Sequence, residues 1–88
     1  MIFMPETLEV EIFYSPSQKK RGFQGKALSV SSKNKLGKFD ILPYHANFIT
    51  LIFDFLIVRT SDRKEIEFRF KRGVLEVYEN KVKVFLEI

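Results

Sequence analysis

The sequence predicts an all-β domain, a sandwich or flattened barrel, and three observations support that class. Apolar and polar residues alternate in short stretches with the period of two that is typical of half-buried strands. Turn-forming residues separate these stretches roughly every eight to twelve residues, and no stretch shows a sustained helical period. Ten Phe and three Tyr supply a large apolar core for 88 residues. A chain of this length closes one core, so we expect a single domain over residues 1–88.

The first half of the chain contains three predicted strands. Residues 7–14 form the first, because apolar residues at 8, 10 and 12 alternate with glutamates at 9 and 11. Residues 15–18, Ser-Pro-Ser-Gln, end it with turn chemistry, and a bend over residues 22–25 leads to a second strand over 26–32. Residues 41–43 form a short strand ending in a turn, because Pro43 lacks an N–H and drives Leu42 towards extended geometry.

The second half continues the pattern. Residues 48–53 and 55–58 are predicted as two apolar strands divided at Asp54, and residues 61–64 as a turn. Residues 65–70 direct Ile66, Phe68 and Phe70 inward. A further turn is predicted at residues 72–73, followed by an extended run over 74–79. After a turn at 79–81, residues 82–87 form the last strand.

The strands over residues 48–53 and 55–58 carry apolar residues on both faces. In a sandwich one face meets the opposite layer, and the other needs a cover. The sequence leaves two interpretations open. Either residues 37–45 or the amino-terminal residues lie over that face, or it is a surface for a partner.

Composition excludes several classes of function. The chain has no Cys and one His, His45. It therefore lacks the ligand set of a zinc site and any thiol nucleophile. The four glycines are isolated and form no phosphate-binding loop. Nothing brings His45 together with Asp40 and a serine, so we expect no catalytic residue, cofactor or metal. The start is not that of a signal peptide, and no apolar run reaches the roughly 20 residues of a membrane span.

Charge suggests an alternative function. The net charge is +4, and seven cations but no acid lie in residues 19–38, which favours acidic partners. Phe23 lies among these cations, as an aromatic stacking site would in a barrel that binds single-stranded nucleic acid. Such a site requires several exposed aromatic residues on adjacent strands, for which the candidates are Phe13, Phe23 and Phe39. A solvated loop face explains the same cations.

The segment GKFDILPYHANFIT, residues 37–50, resembles the G-E-F/L-G-I-L-P-G-H-A-P-L-L-T segment of the epsilon subunit of F-type ATP synthases, called delta in mitochondria. Residues 8–16 resemble the family's opening strand and its T-P-E turn, and residues 22–30 its L-F-x-G-x-V-x-S-V run. Residues 73–84 resemble the closing G-G-F-L-E-V-x-x-N-K-V-T-V. The resemblance covers almost the whole chain and implies a ten-stranded β-sandwich.

The resemblance also implies a function. The subunit is a non-catalytic rotor part of the central stalk that contacts the gamma subunit and the polar loops of the c-ring. It couples ion-driven rotation of the ring to ATP synthesis, on the cytoplasmic side of the cell membrane and without inserting into it. The end of the chain at Ile88 implies a form without the inhibitory carboxy-terminal helical hairpin. Nucleic acid is not an expected partner. A stand-alone protein-interaction domain is a further alternative.

Two sets of partner-binding residues follow from the resemblance. The expected c-ring side comprises Gly37, Lys38, Phe39, Asp40 and Tyr44, and the expected gamma side comprises His45, Phe48, Leu51 and Phe53. Lys38 stands where the family has Glu, which reverses a charge expected to approach the ring. Asp40 and Tyr44 stand where it has Gly, and positive φ angles are expected at such positions. Arg72 likewise replaces the first glycine of an S-G-G turn.

Overall fold

In the computed structural model, the described residues are 7–14 and 20–87, without the side chains of Lys20 and Arg21. They form six strands and no helix. The strands are β1 (Leu8–Tyr14), β2 (Lys20–Asn34), β3 (Gly37–Ile41), β4 (Phe48–Thr60), β5 (Glu65–Tyr78) and β6 (Lys81–Glu87). The predicted turn at residues 15–18 lies outside the described residues. The all-β class is confirmed.

The six strands form one sheet that closes on itself. Its order is β1-β6-β5-β4-β2-β3, and an additional pairing of β1 with β2 closes the ring. All pairings are antiparallel except that of β1 with β6. Because β1 pairs with residues 20–27 of β2 and β3 with residues 30–34, these two strands follow each other along one side of β2.

The closed sheet is flattened into two layers, and the three long strands pass from one layer to the other. The first layer contains β3 and the halves of β2, β4 and β5 near residues 30, 57 and 67. The second layer contains β1, β6 and the remaining halves of the long strands. The described residues thus form six continuous strands, not ten, and counting each long strand once per layer gives nine segments.

One apolar cluster fills the space between the layers. Its fully buried members come from every strand, and the largest are Leu8, Ile12, Ile41, Ile52, Leu56, Leu75 and Leu86. Phe68 and Phe70 face inward as predicted, with Ile66 packed against the cluster. In β6 the inward residues are those at 82, 84 and 86, again as predicted.

The division at Asp54 and the turn at Arg72 were wrong predictions, since β4 and β5 are continuous through both. A bulge replaces the break: Phe53 pairs with Arg72 and Asp54 with Phe70, so Lys71 is left unmatched. Asp54 takes a φ of 75°, which is uncommon for a residue with a side chain. The bulge lies in β5, and because a bulge bends and twists a strand without ending it, β5 and its partner β4 can both serve the two layers.

The bend predicted at residues 22–25 is also wrong, because these residues belong to β2. Their glycines leave room for aromatic rings instead of turning the chain. A Cβ on Gly22 would lie 2.7 Å from the Tyr14 ring, and one on Gly25 would lie 3.2 Å from the Phe23 ring. Residues 42 and 43, predicted as strand, follow the end of β3 at Ile41.

The predicted turns at residues 61–64 and 79–81 are confirmed. Thr60 anchors the first, because its hydroxyl donates to Asp62 and accepts from the Lys64 N–H at 3.1 Å. The hydrogen bond from Thr60 lowers the pKa of Asp62. In the second, Glu79 and Asn80 both take positive φ angles, 48° and 64°, as in a type I′ hairpin turn.

Candidate functional site

Strand β3 carries four of the five residues expected on the c-ring side, which alternate between the two faces of the first layer: Gly37, Lys38, Phe39 and Asp40. β3 follows a tight turn at Lys35 and Leu36, where Gly37 takes a φ of 124° and the Leu36 N–H donates to the Asn34 side chain at 2.9 Å. Lys38 and Asp40 face outward, and Phe39 between them packs against the core.

The charges of Lys38 and Asp40 have different surroundings. The Lys38 ammonium lies 5.9 Å from the centre of the Phe55 ring and forms no ion pair with the described residues. Asp40 accepts a hydrogen bond from the Ser31 hydroxyl, which in turn accepts one from Arg59 Nη1 at 3.0 Å. Arg59 extends this polar network to Glu65 at 3.2 Å. The Lys38 ammonium is therefore available to pair with a partner's charge, whereas the Asp40 carboxylate is already held by its hydrogen bond from Ser31.

The side chains of Phe39, His45 and Phe48 meet at the end of the sandwich where β3 leads into β4. The Phe39 and Phe48 rings meet edge to face with centroids 6.1 Å apart, and the His45 ring lies 5.1 Å from Phe48. Both Phe side chains are half-buried, whereas His45 is exposed and its Nδ1 lies 2.8 Å from the Ala46 carbonyl oxygen. This cluster links β3 of the first layer to the start of β4 in the second.

Residues 42–47, which connect β3 to β4, form a turn that the opposite hairpin holds in place. The His45 N–H donates to the Leu42 carbonyl at 3.1 Å, and Tyr44 follows Pro43 with a φ of 64°, the arrangement of a type II turn. The Tyr44 N–H donates to the Asn80 side chain at 2.8 Å. The positive φ expected at position 44 is confirmed, but Asp40 is an ordinary strand residue.

Two asparagines anchor this turn, and sequence reasoning missed both. Besides accepting from Tyr44, Asn80 donates from its side-chain nitrogen to the Thr7 carbonyl at 2.9 Å. Asn47 accepts from the Glu79 N–H at 2.9 Å. The available signal was the position of each asparagine next to a turn, where its amide can replace backbone partners.

Replacing Tyr44 by Gly is expected to stabilise the domain by about 1 kcal/mol, because a left-handed φ costs a residue with a side chain roughly that amount. Thermal unfolding measures the change. Tyr44→Ala is the matched control, since it removes the exposed ring but keeps the unfavourable φ, and we expect no stabilisation from it. Equal stabilities of the two variants would contradict this account of the turn.

Leu51 and Phe53 lie on the outer face of the second layer, away from Lys38 and Asp40. In register with Leu51, three apolar side chains cross that face, and we call the four together the apolar row: Leu51, Val74, Phe85 and Phe13. The Phe85 and Phe13 rings stack with centroids 5.3 Å apart. Leu51 is 51% exposed. Sequence reasoning missed Val74 and Phe85, and identified Phe13 only as a candidate for stacking on nucleic acid.

Charged residues border the apolar row on both sides. Arg72 and Glu87 form an ion pair at 2.8 Å, and the bond from Arg72 lowers the pKa of the Glu87 carboxyl. On the opposite side, Glu76 pairs in register with Lys83. The row is thus an apolar strip within a charged face, which is an arrangement that interaction surfaces share.

The expected site residues therefore occupy three places. Lys38 and Asp40 lie on the outer face of the first layer, and Leu51 and Phe53 on that of the second. Phe39 and Phe48 are turned inward between them, with His45 and Tyr44 at the turn that joins the two layers. Residues 37–45 do not lie over the outer apolar face, since β3 pairs with β2. The amino-terminal residues proposed as an alternative cover are outside the described range.

Other kinds of site receive no support from the described residues. They contain no group of three or more potential metal ligands and no helix suited to crossing a membrane. A cavity of about 360 Å³ lies over β1, β2 and β6, lined by Glu9, Val10, Glu11, Gln24, Gly25, Lys26, Lys81, Val82 and Lys83, away from all expected site residues. Of the three candidates for a stacking surface, Phe23 and Phe39 pack against the core and Phe13 lies beside Phe85 on the outer face of the second layer, so the three do not form one exposed aromatic surface.

Comparison with known proteins identifies a family over nearly the whole chain. The family model described as ATP synthase, Delta/Epsilon chain, beta-sandwich domain matches residues 7–88. No curated protein matches the chain in sequence.

Two solved structures share the fold. A chain of the Euglena gracilis mitochondrial ATP synthase, in a structure of OSCP, F1 and c-ring in rotational state 1, superposes with a TM-score of 0.83 at 12% identity, covering 97% of this chain and 53% of that one. A chain of the Tetrahymena thermophila mitochondrial ATP synthase, in a structure of the central stalk and c-ring, gives 0.73 at 17% identity, covering 91% and 63%. This chain thus spans less than two thirds of either neighbour.

Proposed function

We propose that this chain, which belongs to the ATP synthase delta/epsilon chain family, is a rotor subunit of the enzyme's central stalk. The observation that carries the proposal is the match to the family's β-sandwich domain over residues 7–88. The delta/epsilon chain is a non-catalytic stalk subunit, in agreement with the expectation that this chain is not an enzyme. The fold neighbours come from structures that contain a central stalk or a c-ring.

The subunit has two partners in this proposal, the c-ring and the gamma subunit. A part placed between two partners needs two separate surfaces, and the outer faces of the two layers provide them. Lys38, with Gly37 and Asp40 beside it and Tyr44 at the adjoining turn, contacts the polar loops of the ring. Leu51 and Phe53 contact gamma, while Phe39, His45 and Phe48 brace the connection between the surfaces. The complex places the chain peripherally at the cytoplasmic side of the membrane, where it transmits ring rotation to gamma.

Association with gamma is the first test. The tagged chain is mixed with the gamma subunit from the same source and run on size exclusion. A stable one-to-one complex is expected, because the apolar row offers an uncharged strip that a partner buries. If folded gamma elutes apart from the chain, the rotor proposal fails.

The contact with the c-ring is tested with Lys38→Glu. We expect this variant to bind the cognate ring at least about tenfold more weakly, because reversing an interfacial charge places like charges together. Its melting temperature is expected to change little, since an exposed Lys without an ion pair contributes less than about 1 kcal/mol to stability. Lys83→Glu is the matched control, because Lys83 is an exposed lysine on the outer face of the other layer. Unchanged ring binding of the Lys38 variant would remove this residue from the interface.

A further inference from the structure

Residues 48–53 of β4 form an edge of the second layer that no described strand occupies, and we call this stretch the open edge. On one side it pairs with residues 72–77 of β5. The strand on the other side of β4 is β2, but β2 pairs with β4 only over residues 56–60 and does not reach the open edge. The backbone N–H and C=O groups of alternate residues along the open edge therefore point away from the sheet without strand partners.

The open edge lacks the charges that protect the other edges of the described sheet. Along β3 the unpaired side carries Lys38 and Asp40, and along the first half of β5 it carries Glu65, Glu67 and Arg69. Residues 48–53, Phe-Ile-Thr-Leu-Ile-Phe, contain no charge. Natural proteins place charges on exposed edges to prevent unwanted strand pairing, so an uncharged edge remains able to pair with a further strand.

Exposed apolar side chains lie beside the open edge on the outer face of the second layer. Ile49 is 65% exposed and Leu51 is 51% exposed, so both direct large apolar groups into solvent. Leu51 begins the apolar row, which is continuous from the open edge to Phe13 on β1. Backbone groups and apolar side chains are thus available at the same place.

We infer that the open edge takes an extended segment of gamma as an additional β-strand, an inference that rests on the proposed function. The backbone groups determine the conformation of the segment, because a helix satisfies its own N–H and C=O groups and leaves those of the edge unpaired. The side chains determine its composition: alternate residues are apolar and lie beside Ile49 and Leu51 on the outer face. The segment continues the sheet and covers the start of the apolar row.

Charge defines one end of the segment and argues against a second copy of the chain. The turn between β2 and β3 lies beside the open edge, since the Asn34 side chain is 3.4 Å from the Thr50 hydroxyl. In this turn Lys35 is exposed and forms no ion pair with the described residues, so an acidic residue of the segment is complementary to it. Two copies of the chain each carry +4 and repel each other.

Hydrogen exchange in the one-to-one complex with gamma tests this inference. Strand addition forms backbone hydrogen bonds, so the outward amides of residues 48–53 are expected to exchange at least about tenfold more slowly in the complex than in the free chain. Contact through side chains alone protects these amides far less. A complex in which they exchange as in the free chain overturns the strand inference and leaves the rotor proposal intact. Absence of any complex overturns both.

Variants of the open edge give the second measurement. Ile49→Lys places a charge on the edge and is expected to weaken binding to gamma at least about tenfold with little change in melting temperature. The matched control is Tyr78→Lys, which removes a large side chain of 62% exposure from the same outer face but from β5, the strand on the inner side of the open edge. Equal loss of binding in both variants overturns the inference, since it indicates contact with the face rather than the edge. Protection of residues 48–53 in a homodimer without gamma overturns it as well.

Discussion

Replacing Gly73 by Ala is expected to destabilise the domain by about 2 kcal/mol and to lower its melting temperature by about 10 °C. Gly73 is buried in β5, and a Cβ at this position would lie 2.6 Å from the Phe85 carbonyl oxygen and 3.1 Å from Leu86. The first contact is with the backbone of β6, which cannot move without disturbing its pairing with β5. Thermal unfolding monitored by circular dichroism measures the change.

The matched control is Gly25→Ala, the same substitution in another strand. Its Cβ would meet only the Phe23 ring, at 3.2 Å, and a half-buried ring at the surface of the core can rotate away. We expect a change of less than about 1 kcal/mol, because alanine also reduces the entropy lost on folding. Comparable losses in both variants would show that the close approach of β6 is not the reason for glycine at position 73.

Leu56→Ala is expected to cost about 3 kcal/mol of unfolding free energy, the largest effect of any variant considered, because it leaves a cavity in the core. Leu56 is fully buried in the first layer, beside the bulge through which β4 changes layers. Urea unfolding gives the free energy directly. Binding of folded Leu56→Ala to gamma is expected to match the unaltered chain.

Leu51→Ala is the same substitution in the same strand, and we expect the opposite result from it: little loss of stability but weaker binding to gamma. Leu51 is half exposed, so its truncation is expected to cost less than about 1 kcal/mol of stability. Binding to gamma is expected to weaken, since Leu51 lies on both the open edge and the apolar row. A Leu51 variant that unfolds as readily as the Leu56 variant would contradict the assignment of β4's two faces.

Residues that share a strand face were predictable because alternation is a local property. The inward residues of β5 and β6 follow directly from a period of two, and the turns over residues 61–64 and 79–81 follow from their short-range chemistry. The positive φ at Tyr44 was predictable as well, because the family resemblance places a glycine there.

The continuity of the long strands through Asp54 and Gly73 was not predictable, because its causes are contacts between distant residues. Asp54 and Gly73 have the composition of turns, yet both lie within continuous strands. At Asp54 the bulge absorbs the irregularity, and at Gly73 the carbonyl of Phe85 excludes a side chain. Neither contact leaves a mark in the local sequence.

In the candidate site, too, the residues were predictable from the sequence but their arrangement was not. Lys38, Asp40, Leu51 and Phe53 were identified from the sequence, but their placement on opposite outer faces depends on which strands pair. Asn80 holds the turn at Tyr44 across 36 residues of sequence, and no local pattern indicates such a bond.

Local patterns were enough to identify the all-β class, the inward residues of most strands, the family and the candidate residues. The passage of three strands through both layers, the division of the candidate residues between two faces and the uncharged edge at residues 48–53 became visible only in the folded chain. Alternation specifies two faces for each strand, whereas bulges and strand neighbours specify which face is outside and which edge is open. These depend on contacts between strands that are distant in the sequence.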